Sequence, residues 1–192
     1  MLAGVSRPSE GTIAWAEGAA PRVGWVPQRP ALYARLTTRE NLRLFAALEG
    51  AADPAGHAER LLARADLLRF ADRTAAELST GTMQRLNLAI ALAGEPSVLL
   101  LDEPTATLSP DQRHRLWDWL AALCSEDGLA IAFSTQSVDE ALRHAQRVVV
   151  LSHGRVAFAG TMDVLVGADG REVDAAAAED AFLRLVGEQE AS

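Results

Sequence analysis

Val98-Leu99-Leu100-Leu101-Asp102-Glu103-Pro104 is an apolar run that ends in two adjacent carboxylates and a proline. Val98 to Leu101 show no alternation, and Pro96 and Pro104 bracket them. That pattern predicts a parallel strand buried on both faces. Such a strand delivers its last residues to the carboxyl edge of a sheet, where open α/β folds bind ligands. Asp102 is then placed to hold a divalent cation through oxygen. Glu103 is placed to orient or deprotonate a water. Read alone, the pair is equally an acidic start to a surface turn.

Toward the N-terminus, a helix over about 80–94 runs into this strand. It opens on Leu78-Ser79-Thr80-Gly81-Thr82-Met83-Gln84-Arg85. Free N–H groups beside a serine hydroxyl can take an anion. Taken alone, Ser79 is an ordinary N-cap. Thr37 with Glu40 has the spacing of a capping box, ahead of a helix carrying Leu42, Phe45 and Leu48 and ending at Gly50. Asp53-Pro54 starts a second helix, with Leu61, Leu62 and Leu67 as its buried side. Residues 11–15 and 22–26 are predicted strands, and Pro27-Gln28-Arg29-Pro30 breaks the chain after them. A glutamine there can accept from a metal-bound water and donate to a phosphate, or be a solvated turn residue.

Toward the C-terminus, Ser109-Pro110 caps a helix over about 110–124, and residues 129–134 form a strand. Ser137 with Glu140 has the capping-box spacing for a short helix. A strand at 147–152 turns at His153-Gly154 into 155–159. The tail is alanine- and acid-rich over 172–180, then amphipathic through Phe182, Leu185 and Val186. Strands alternating with helices predict a mainly parallel α/β sheet. The expected organisation is one domain over 1–192: sheet core 1–29 and 96–170, helical insertion 30–95, tail helix 171–192.

With 49% apolar residues over 192, the chain can bury a core. Its net charge of −8, with every basic residue an arginine, excludes non-specific nucleic-acid binding, which needs a basic surface. The single cysteine, Cys124, permits neither an internal disulfide nor a cysteine metal cage. No apolar stretch has the length of a membrane span, and the N-terminus has no signal-peptide core. The expectation is a cytoplasmic chain that serves a membrane only by docking to a membrane protein.

In combination these stretches resemble the ATP-binding cassette (ABC) ATPases. Gly24 to Gln28 with Leu36 to Leu42 is similar to their Q-loop region, Leu78 to Arg85 to their signature motif, and Leu99 to Pro104 to their Walker B strand. Leu108-Ser109-Pro110 falls at the D-loop, and Phe133-Ser134-Thr135-Gln136 at the switch-histidine loop. The resemblance implies a P-loop NTPase sheet with a helical subdomain, acting on ATP and Mg²⁺. It implies that Asp102 and Gln28 meet the Mg²⁺, that Glu103 acts on the water, and that Gln136 stands in for the switch histidine. Ser79 and Gly81 would contact the γ-phosphate of a nucleotide held mainly by a second cassette, identical or different. The partner it implies is a separate membrane-spanning permease, with this chain peripheral on the inner face of the membrane. Thr80 and Thr82 in the signature, and the tail helix, are similar to the exporter branch.

The sequence also departs from the family. No stretch matches Gly-x-x-x-x-Gly-Lys-[Ser/Thr], the loop that cradles phosphates, and there is no lysine at all. Met1 to Gly11 is similar to the segment just past that loop, so the expectation is an internal start, with the first strand and phosphate loop missing. A truncated gene product is the alternative. Gln136 cannot carry the charge of a histidine, and Ser109 stands where the family has an aspartate. These departures keep a second reading open, a non-hydrolysing cassette acting as a structural or regulatory partner. A soluble ABC ATPase of DNA repair or translation would need coiled coils or a second cassette that the sequence lacks.

Overall fold

The computed structural model describes residues 3–15, 20–167 and 173–190, the side chains of 188–190 excepted. The chain forms two compact units, Met1–Ser134 and Thr135–Ser192.

In the first unit, β1 (Val23–Val26), β2 (Val98–Asp102) and β3 (Ala130–Ser134) form a parallel sheet in the order β1-β2-β3. Val26 pairs with Leu101 and Leu101 with Phe133, so the three strands end together at one carboxyl edge. Between β1 and β2 run α1 (Thr38–Leu48), α2 (Pro54–Arg64), two short 3-10 turns and α3 (Thr80–Ala91). Between β2 and β3 runs α4 (Pro110–Asp127).

Local chemistry sets these boundaries. Thr37 and Glu40 close the expected capping box on α1, and Gly50 follows its end at φ 82°. Asp53 caps α2 with Pro54 in its first turn. Ser79 caps α3, and Ser109 closes a box with Gln112 on α4. α3 ends at Ala91, earlier than the predicted 94, and α4 runs three residues past 124 to Gly128 at φ 67°. A left-handed glycine cap marks that end, and the apolar pattern alone did not locate it.

One core joins the helical insertion to the sheet. Leu42, Leu62, Leu67, Leu86 and Leu88 belong to the same buried cluster as Leu99, Leu120 and Leu123. Burying a side chain of this kind contributes about 1.5–3 kcal/mol. Trp117 of α4 stacks edge-on against Phe133 of β3, with ring centroids 4.7 Å apart. Gly24 of β1 has no room for a Cβ, which would meet the Ala91 carbonyl at the end of α3. These helices therefore cover the sheet face that carries Leu99 and Leu101.

The other face differs from expectation. Trp25, Leu100 and Ala132 lie in register, and they are exposed, half-buried and exposed. β2 is thus fully covered on one face rather than two. The predicted strand at 11–15 is absent: residues 12–15 take no regular structure, and a strand needs a ladder partner.

In the second unit, α5 (Val138–His144) precedes β4 (Val148–Ser152) and β5 (Arg155–Gly160), an antiparallel hairpin. His153 and Gly154 both take positive φ, as a two-residue hairpin turn requires. α6 (Met162–Val166), which the sequence reading missed, and α7 (Ala175–Glu190) complete the unit. Ser137 caps α5 as expected, but its own N–H goes to Thr135 Oγ1, and Thr135 Oγ1 donates to the buried Glu140. Glu140 thus serves a hydroxyl that the spacing rule did not include. Among the described residues no helix is long and apolar enough to cross a membrane.

Candidate functional site

The two expected carboxylates, Asp102 and Glu103, stand at the end of β2. Asp102 is the last residue of the strand and pairs with Ser134, the last residue of β3. Ser134 Oγ donates to Asp102 Oδ1 at 2.7 Å. The Glu103 N–H is shared between Ser134 O at 3.2 Å and Ser134 Oγ at 3.1 Å. One serine therefore sets both acids. Glu103 adopts φ 45°, a left-handed conformation unusual for a residue with a side chain. Pro104 disfavours the right-handed alternative for the residue before it, and the doubly accepted N–H holds the turn.

Gln28 joins them from the loop that follows β1. It follows Val26-Pro27 at the same carboxyl edge, and its Nε2 donates to Glu103 Oε2 at 2.9 Å. Gln28, Asp102, Glu103 and Ser134 thus form one hydrogen-bonded group at the carboxyl ends of three parallel strands. In the sequence Ser134 stands out only as part of the Phe133-Ser134-Thr135-Gln136 stretch. The sheet register, which puts it opposite Asp102, is the signal that finds it.

The donor chemistry fits a hard cation. Asp102, Glu103 and Ser134 present oxygen, and Gln28, whose Nε2 donates to Glu103, can offer its carbonyl oxygen. Among the described residues no three His, Cys, Asp or Glu side chains gather to hold a metal alone. An Mg²⁺ would therefore take most of its ligands from phosphate and water, as this ion commonly does.

Ser79 and Gly81 are not in this group. They line a separate cavity of about 250 Å³ with Arg69, Arg85, Gln112 and Arg115. Ser79 Oγ accepts from Thr82 N–H at 3.3 Å and shares a hydrogen bond with Thr82 Oγ1 at 2.9 Å. Its local role is the plain N-cap. Arg85 is paired with Asp66 at 2.8 Å. Asp111, on the same wall, is held below the usual carboxylate range by the Ser109 hydroxyl and the Arg115 guanidinium. Gln136 lies in the second unit, exposed in the loop before α5.

A parallel sheet with acids at its carboxyl edge and a helical insertion is the architecture of the ATP-binding cassettes. One solved structure, the ATP-binding subunit of an ABC transporter, matches 96% of this chain and 80% of its own at TM-score 0.77 and 27% identity. Another, a dimeric cassette in a post-hydrolysis state bound to ADP and Pi, matches 73% of this chain and 62% of its own at TM-score 0.64 and 29% identity. The sequence profile of the ABC transporter family matches residues 1–106. The chain belongs to the ABC transporter family.

Among relatives, Nod factor export ATP-binding protein I of Burkholderia lata is 39% identical over 86% of this chain. ATP-binding cassette sub-family A member 9 of Homo sapiens is 36% identical over 84% of it. The chain spans 58% of the length of the first and 10% of the second.

Proposed function

We propose that the chain is part of the ATP-hydrolysing subunit of an ABC exporter, working with a permease on another chain and with a second cassette. The observation that carries this reading is the group at the carboxyl edge, Asp102 and Glu103 joined by Ser134 and met by Gln28. Export is supported by the name of the Burkholderia lata relative, and pairing by the dimeric solved cassette.

Asp102 would hold Mg²⁺, with Gln28 offering its carbonyl oxygen. When bound, the ion neutralises charge on phosphate oxygens. Glu103 would take a proton from a water as that water's oxygen bonds to the γ-phosphorus. The bond from phosphorus to the bridging oxygen breaks, and ADP leaves with that electron pair. Gln28 holds one oxygen of the Glu103 carboxylate, which fixes where the other can reach. Ser79 and Gly81 would face a nucleotide bound by the second cassette, the Ser79 hydroxyl donating to phosphate while its oxygen keeps the Thr82 N–H. Gln136 would donate to the γ-phosphate without supplying charge.

The test is phosphate release by the full-length protein assembled with its permease. Glu103→Gln is expected to lower kcat by about 10²-fold or more while ATP still binds. Full turnover in that variant would sink the role given to Glu103. A second reading, a non-hydrolysing partner cassette, is favoured by Gln136 in place of a histidine and by Ser109 in place of an aspartate. Absence of turnover in the wild-type assembly would select it.

A further inference from the structure

Gln28 reaches Glu103 from a loop outside any helix or strand. A single side chain from elsewhere grips that loop on both sides of Gln28. Asn87, 1% exposed in α3, donates from Nδ2 to Pro27 O at 3.3 Å and accepts the Ala31 N–H on Oδ1 at 3.2 Å. Asparagine is a weak helix former, and a buried amide is costly unless bonded. Both ends of this amide are spent on the loop. The same helix opens at Ser79 and, at Ala91, packs closely on Gly24 of β1.

We infer that Asn87 is a positioning residue that ties the Gln28 loop to α3. The helix that presents Ser79 and Gly81 then carries Gln28, and through Gln28 the Glu103 carboxylate, as one piece. This rests on the ATPase reading above, in which Glu103 acts on the water. A side chain that only filled the core would lower activity whether or not Gln28 were present.

The test uses the full-length protein with its permease. Asn87→Ala is expected to lower kcat about tenfold and to change KM for ATP by less than about twofold. In a Gln28→Ala background the same substitution should cost less than about twofold, because the group it positions is gone. Equal losses in both backgrounds overturn the proposal. If the alanine variant does not fold, Asn87→Ser replaces it, since a serine hydroxyl can bond back to its own helix.

Amide hydrogen exchange gives a readout that does not depend on turnover. Exchange at Ala31 should quicken about tenfold in either variant while α1 and β2 keep their protection. Unchanged exchange at Ala31 overturns the tie by itself. A wild-type assembly without turnover overturns the ATPase reading and leaves the exchange result to decide the tie.

Discussion

Glu103 carries two demands in one residue. Its side chain meets Gln28, and its backbone sits at φ 45°. A left-handed conformation costs a residue with a Cβ about 1 kcal/mol or more, and glycine almost nothing. Glu103→Ala and Glu103→Gly both remove the carboxylate, but only glycine relieves the backbone. The glycine variant should therefore be the more stable by about 1 kcal/mol in urea unfolding, with both inactive. Coincident unfolding curves would show that the turn is unstrained. The acids were legible in the sequence because an apolar run ended on them. Ser134, which sets both, was not, because its role depends on which strand lies beside β2. Nor was Asn87, a buried polar residue of α3 whose partners lie on a loop far away in the chain.

At the scale of elements, two capping boxes couple local structure to pH. Glu40 at the start of α1 is held below its ordinary value of 4.5 by hydrogen bonds from the Thr37 backbone and hydroxyl. Glu77 is held below 4.5 by the Thr74 hydroxyl and backbone. A carboxyl whose folded value lies below its unfolded one stabilises the fold fully above the unfolded value. That stabilisation is lost as pH falls through the folded one. Both boxes should therefore weaken below about pH 4.5. Glu40→Gln with Glu77→Gln keeps an acceptor at each position without a titrating group. The double variant should show a shallower loss of thermal stability than wild type between about pH 5 and about pH 3. Parallel curves would mean that other carboxylates set the acid limit. Caps of this kind were the most legible part of the fold, since Thr37, Asp53, Ser79 and Ser109 each act within a few residues of themselves. The strand expected at 11–15 failed for the opposite reason: a strand exists only with a partner.

On the whole molecule, charge and exposed apolar surface oppose each other. Most of the core belongs to the first unit, whereas the hairpin of the second turns apolar residues outward. Val149, Leu151 and Val156 are 60%, 67% and 61% exposed, and Leu151 pairs with Val156, so the three share one face. A half-buried antiparallel hairpin ordinarily puts polar residues outward, and a contiguous apolar face favours association. The net charge of −8 keeps copies apart while salt is low. The Debye length falls to about 10 Å at 0.1 M salt and about 3 Å at 1 M. Self-association of this 192-residue chain should therefore rise with ionic strength, opposite to association through ion pairs. Leu151→Glu with Val156→Thr should reduce it at every salt concentration, and should lower the binding of a hydrophobic dye. Sedimentation velocity across a salt series separates the cases. Association that falls with salt, or that is indifferent to the two substitutions, would place the contact on charged surface rather than on this hairpin.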